Sequence, residues 1–249
     1  TAHAFLINLA MLQAWWEQTA SWNYPSWSVS CEWFAYLFFP LFALAVIRLR
    51  TKRSVEVALA LVIALFVLTF TTVLSIDVVL DSGVVALARV VFEFVIGMLL
   101  YQWRRESTLR LPWLPMMFAL WAIATPFGWT QIHDVLVALS YIFLLLAADD
   151  DRSLTSRILR QRWAMYLGER SYSLYLTHIP VAMTVGVAVK KLAPKLGLHW
   201  FVQLSIVFAC SILVAIAAYR FVERPAQRWV HQRVRRPRPA PQPSAVELT

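Results

Sequence analysis

Two short polar stretches carry residue types that can move protons. Glu32 lies near the start of a long apolar run. Ser171, Tyr175 and His178 are spaced i, i+4 and i+7, so on a helix they line one face. A histidine or carboxylate can take a proton from an attacking hydroxyl, and hydroxyl donors can stabilise a developing oxyanion. The serine hydroxyls before Glu32 are Ser26, Ser28 and Ser30.

A third polar group lies in another apolar run. Arg89 and Glu93 are four residues apart and can pair on one helix face. Charges inside a membrane are costly, so this pair either locks the helix in a bundle or serves function, and both readings stay open. Pro180 lacks an N–H and frees the carbonyl of Leu176. Beside the His178 stripe, that loosened backbone predicts a water-filled or ligand-lined cavity.

The elements that must position these groups are membrane helices. The 249 residues are 60% hydrophobic and 15% charged, with a mean hydropathy of +0.61, and the apolar runs approach the bilayer-spanning length of about 20 residues. Lipid cannot satisfy an open backbone, so we predict an all-α, polytopic transmembrane helix bundle of about seven spans. The predicted spans are residues 28–47, 55–75, 84–103, 113–127, 133–148, 171–189 and 200–221.

The charge pattern predicts an orientation rather than a nucleic-acid partner. The net charge is +9, but the basic residues cluster in short loops after the first, third, fifth and seventh spans. The positive-inside rule therefore places those exits in the cytoplasm, with the lysines at 190, 191 and 195 as one exception. Membrane lipids are expected partners. The aromatic residues expected at the membrane–water interface are Trp15, Trp16, Trp22, Tyr24 and Trp27.

The sequence divides into one predicted membrane domain and a C-terminal tail of different composition. Residues 1–232 form the predicted transmembrane domain, and residues 233–249 are basic, proline-rich and expected to be disordered. The two cysteines, Cys31 and Cys210, lie in apolar segments and indicate neither a disulfide framework nor a metal site. Gly-rich phosphate loops and the G-x-S-x-G and H-E-x-x-H motifs are not found in the sequence.

Four motifs together resemble the acyltransferase-3 family of integral-membrane O-acyltransferases, the type that acetylates bacterial O-antigen and other envelope glycans. Residues 27–40 read W-S-V-S-C-E-W-F-A-Y-L-F-F-P and depart from the family pattern at Ala35, where it has tyrosine. Residues 167–180 read L-G-E-R-S-Y-S-L-Y-L-T-H-I-P. The stretches R-V-V-F-E-F-V-I-G at 89–97 and E-R-P at 223–225 are also similar to family motifs.

The resemblance implies a fold of about ten spans and an acyl-CoA donor that enters from the cytoplasm, with no bound cofactor. It also implies a catalytic histidine and an R-x-x-R motif in earlier spans. Neither is present, and His3 does not fit that histidine. We therefore expect the first spans to precede Thr1 and residues 1–249 alone to be inactive.

On this resemblance, we expect an enzyme of the inner (plasma) membrane that moves an acyl group, most simply acetyl, from acyl-CoA to a carbohydrate hydroxyl. The acceptor stays open among lipopolysaccharide, peptidoglycan, exopolysaccharide, a secreted oligosaccharide and a macrolide sugar. The expected catalytic residues are His178, Glu32 and Tyr175. The expected substrate-binding residues are Trp27, Ser28, Ser30, Arg89, Glu93, Ser171 and Tyr172.

Two rival functions use the same features differently. A transporter of an acyl group or glycan would also need a polar path through the bilayer, although internal repeats, common in transporters, are not visible in the sequence. A membrane scaffold explains the spans but not four polar motifs within them. The orientation places Glu32 on the outer side, which favours acceptor handling, or holding the bundle, over attack on the thioester.

Overall fold

The computed structural model describes residues 2–15, 21–73, 83–107, 109, 111–128 and 130–234. These residues form helices and irregular connections, and no β-strand is found among them. The chain divides into two compact units, Thr1–Leu167 and Gly168–Thr249. Several predicted features lie outside the described residues: Trp16, the acidic loop 74–82, Arg110 and the tail from 235.

The described residues of the first unit form eight α-helices, with a π-helical turn at Thr69–Val73 and a 3-10 turn at Thr125–Phe127. Within its described residues the α-helices are α1 (Ala2–Leu9), α2 (Ser26–Ile47), α3 (Lys52–Leu68), α4 (Val84–Glu106), α5 (Trp113–Ala124), α6 (Gln131–Asp149), α7 (Leu154–Leu159) and α8 (Arg162–Gly168), which ends at the boundary between the units.

Local sequence fixes where several of these helices begin. The Thr51 hydroxyl accepts a hydrogen bond from the Ser54 amide at the start of α3, and Ser54 bonds back to Thr51 in a capping box. Thr130 caps α6 and Ser153 caps α7 in the same position. These side chains satisfy amides that the first helical turn leaves without a partner.

The second unit is two long helical segments in its described part. The first joins α9 (Ser171–Val181) to α10 (Val187–Leu196) through a π-helical turn, Ala182–Gly186. The second joins α11 (Trp200–Ala218) to α12 (Arg224–Val234) through a second π-helical turn, Tyr219–Glu223. Gly197 ends α10 in the left-handed conformation, at φ 62°, as is common after a helix.

The seven predicted spans are confirmed as helices, and six of them are long and apolar enough to cross a bilayer. The remaining one, the fourth predicted span at Trp113–Phe127, is shorter and packs along α6. Most of the large apolar side chains on these helices face outward, as lipid-exposed helices require.

Two helical features differ from the prediction. The apolar residues from Ala4 to Trp16 predict a helix that reaches residue 16, but α1 ends at Leu9. Pro225 disfavours helical geometry at Arg224 and predicts a break there, which is wrong, because Arg224 is helical at φ −62°, ψ −42° and α12 continues to Val234. This helix includes residues 233 and 234, the first two of the predicted tail.

The basic loops of the first unit lie at one end of its helices. Gln102, near the end of α4, donates a hydrogen bond to the carbonyl of Leu49 in the loop after α2, at 2.6 Å. Arg104 pairs with Asp149 at the end of α6, at 2.8 Å. These contacts place the loops after α2, α4 and α6 together, as the alternation of basic loops predicts.

Candidate functional site

The Ser30 hydroxyl ties the segment after α1 to the beginning of α2. It donates to the carbonyl of Met11 at 2.6 Å and accepts from the amide of Ala14 at 3.2 Å. The Trp15 indole donates to the Ser30 carbonyl at 3.1 Å, and the Gln13 amide donates to the carbonyl of Ser26 at 3.0 Å. Ser30 is fully buried, and its hydroxyl holds this loop against α2.

This attachment explains why α1 ends early. Met11 has a φ of 58°, the left-handed region that costs a non-glycine residue about 1–2 kcal/mol. Its carbonyl then points to the Ser30 hydroxyl, which lies 19 residues later in the chain. A contact this distant in sequence has no local pattern, so the sequence predicted a longer helix.

Glu32 lies in the second turn of α2, one turn before Tyr36 on the same helix face. Tyr36 makes an edge contact with Phe94 of α4, with ring centroids 5.9 Å apart. The helices that carry Glu32 and Glu93 are therefore neighbours. Trp27 and Ser28 lie in the first turn of α2, with Trp27 packed against the cluster around Cys31.

Arg89 and Glu93 form the predicted pair, with Nε and Oε1 3.4 Å apart. The Arg89 side chain is 17% exposed and that of Glu93 is 45% exposed, so the carboxylate is the more accessible partner. Both line a cavity between α4 and α6, and Glu93 also lines a second cavity between α2 and α4. The pair thus places a polar group beside two cavities.

The cavity between α2 and α4 has a volume of about 790 Å³. At one end it is lined by Glu93, and at the other by polar side chains that include Tyr101 and Arg105. Its walls between these ends are mainly apolar. Twelve residues separate Glu93 from Arg105, about 18 Å along a helix. The Arg105 end is the one where the basic loops gather.

In the second unit, α9 carries the predicted stripe. The His178 ring nitrogen Nδ1 lies 2.6 Å from the carbonyl of Tyr175. A carbonyl only accepts, so Nδ1 carries the proton and Nε2 is the basic nitrogen of the neutral ring. Ser171 donates to the carbonyl of Gly168 at 2.8 Å, which gives it a role at the helix start. Tyr172 is 44% exposed on the neighbouring face.

The opposite face of α9 makes a contact that the sequence did not predict. The buried Ser173 hydroxyl donates to the Glu223 carboxylate, which also accepts from Gln227 at 3.0 Å. Arg170 lies over the ring of Tyr219, 4.5 Å from its centroid. From the sequence, Glu223 could pair with Arg220 or with a basic loop; within the described residues its hydrogen bonds go to α9 and to its own helix.

The predicted site residues thus fall into two sets. The first unit carries Glu32 on α2 and Arg89 and Glu93 on the neighbouring α4, and the second presents Tyr175 and His178 on α9. The pairs Arg89–Glu93 and Tyr175–His178 follow from helical spacing. Gly97 belongs to a predicted motif, but its place beside both cavities was not predicted, nor was the Ser173–Glu223 bond across 50 residues. Among the described residues no cluster of three metal-binding side chains is found.

Comparison with known proteins gives one match. A family model described as an acyltransferase domain, that of the acyltransferase-3 family, matches residues 2–220. No curated protein and no solved structure matches the chain.

Proposed function

Because this chain belongs to the acyltransferase-3 family and is a multi-pass membrane protein, we propose that it transfers an acyl group from acyl-CoA to a carbohydrate hydroxyl of the cell envelope or of a secreted product. Acetyl is the simplest acyl group, and the plasma membrane is the proposed location. The acceptor hydroxyl oxygen attacks the thioester carbonyl carbon. The C–O ester bond forms, the C–S bond breaks, and the proton of the hydroxyl ends on the released CoA thiol.

The cavity between α2 and α4 is the observation that carries this proposal. An acyl-CoA has anionic phosphates at one end, a long linear arm, and a thioester at the other end. Arg105 and the basic loops offer cations for the phosphates. The apolar walls fit the arm, and Glu93 lies where the thioester end would reach. Glu106, also at the basic end, opposes the phosphates and limits this attraction.

Acceptor and proton-transfer roles are proposed for α2 of the first unit and, separately, for α9 of the second unit. Glu32 lies at the end of α2 remote from the basic loops, where it can orient an acceptor hydroxyl. His178, with Nε2 as its basic nitrogen, can assist proton transfer, and Tyr175 can donate to the oxyanion. Trp27, Ser28 and Tyr172 remain proposed acceptor contacts. Ser30 contributes by fixing the segment after α1 against the start of α2.

Substitution in the full-length protein tests these roles. Glu32→Ala and His178→Ala should each reduce acylation of the cell glycan at least tenfold at unchanged protein abundance, as measured by mass spectrometry of released glycans. Glu56→Ala and His231→Ala are controls on helix surfaces outside the proposed site. Wild-type acylation in both test variants would contradict the assignment. Labelled acyl groups that cross the membrane without forming a sugar ester would instead support a transporter.

A further inference from the structure

The cavity between α4 and α6 is apolar and has a volume of about 390 Å³. Apart from Arg89, Glu93 and Tyr141, every side chain that lines it is a hydrocarbon, and the remaining lining residue is Gly97. The Arg89–Glu93 pair therefore lies beside an otherwise oily space.

Gly97 lines both this cavity and the one between α2 and α4. Glu93 also lines both cavities, which lie on either side of α4. A Cβ built on Gly97 meets no atom within 4 Å, so close helix packing does not require glycine here. Glycine inside a helix costs roughly 0.5–1 kcal/mol relative to alanine. Because glycine has no side chain, α4 presents only backbone to both cavities at this position.

We propose that the α4–α6 cavity binds the hydrocarbon chain of the acyl donor and that the enzyme accepts acyl groups longer than acetyl. The inference rests on the proposed function. The CoA arm lies between α2 and α4, its thioester lies near Glu93, and the chain passes over Gly97 toward Ala138 of α6. An aliphatic chain fits because the lining offers dispersion contacts and few polar groups.

The volume sets a limit on chain length. At about 30 Å³ per non-hydrogen atom, the share that a water molecule takes in the liquid, 390 Å³ holds on the order of ten chain carbons. Burial of each methylene group strengthens binding by up to about fourfold. Transfer efficiency should therefore rise from acetyl to about octanoyl and fall once the chain exceeds the cavity.

Matched substitutions in the two cavities separate chain binding from arm binding. Ala138 lines only the α4–α6 cavity and Ala43 only the α2–α4 cavity, and both are half-buried. With full-length protein in lipid nanodiscs, kcat/KM is measured for donors from acetyl-CoA to decanoyl-CoA. Ala138→Leu should lower the octanoyl-to-acetyl ratio of kcat/KM at least tenfold. Ala43→Leu should leave that ratio within twofold of the wild-type value.

A second measurement uses the wild-type protein, so it does not depend on the folding of a variant. Octanoyl-CoA with a diazirine at its terminal carbon should crosslink to α6 within residues 137–145. Crosslinks confined to α2, or equal ratios in the two leucine variants, would overturn the inference. Transfer restricted to acetyl would overturn it while leaving the proposed function intact. Absence of transfer from every donor would contradict both.

Discussion

Replacing Ser30 by alanine tests how the loop after α1 is held. The substitution removes a donor to the Met11 carbonyl, which is partly buried, and an acceptor for the buried Ala14 amide. An orphaned buried group costs about 1–3 kcal/mol, and the carbonyl costs less because it is only partly buried, so we expect the loop to be destabilised by about 2–4 kcal/mol in total. The left-handed Met11 adds strain that Ser30 no longer offsets. The loop should therefore open while α2 and α4 remain paired.

Hydrogen exchange measured by mass spectrometry reports this opening directly. Peptides that cover residues 10–15 should exchange roughly 30- to 700-fold faster in Ser30→Ala, at 1.4 kcal/mol per tenfold change. Ser140→Ala is the matched control, because Ser140 is equally buried but donates to the Val137 carbonyl of its own helix, at 2.6 Å. Its own peptides should change little. Unchanged exchange of residues 10–15 in Ser30→Ala would refute the assigned role.

Three further substitutions test other contacts. Ser173→Ala should destabilise the pairing of α9 with α11 by about 1–3 kcal/mol, measured by denaturant unfolding, since it leaves the Glu223 carboxylate short of a donor; unchanged stability would contradict this. Arg105→Ala should raise KM for acyl-CoA roughly fivefold with kcat nearly unchanged, because it removes ground-state attraction to phosphates; an effect on kcat alone would exclude that role. Gly97→Ala should raise stability by about 0.5–1 kcal/mol, measured by thermal unfolding, since its Cβ meets open space; a loss of stability would show that α4 packs more closely there.

The spans and the side on which their basic loops lie were predictable because both follow from composition over long windows. Runs of apolar residues gave the helices, and the gathering of the loops through Gln102 and Arg104 agrees with the alternation of charge. The Arg89–Glu93 ion pair could be predicted equally well, because residues four apart share a helix face whatever the tertiary structure.

The contacts that the sequence did not reveal join distant positions. Ser30 reaches Met11 across 19 residues, and Ser173 reaches Glu223 across 50. The helix through Pro225 illustrates the same limit. The conformational preference of the residue before a proline predicts a helix break there. The helix is nevertheless continuous: it passes through a π-helical turn at Tyr219–Glu223, where Glu223 accepts hydrogen bonds from Ser173 and Gln227. Cavities depend on how helices pack, so the motif that ends at Gly97 did not reveal that this glycine lies beside two of them.

Reconstituted full-length protein gives the most direct measurement of the proposed activity. Acyl-CoA labelled in its acyl group is supplied with a hydroxyl-bearing oligosaccharide, and free CoA thiol and sugar ester are measured together. The account predicts one thiol released per alkali-labile sugar ester formed, and loss of both products in His178→Ala. Label that reaches the opposite side of the membrane without ester formation or thiol release would contradict acyl transfer.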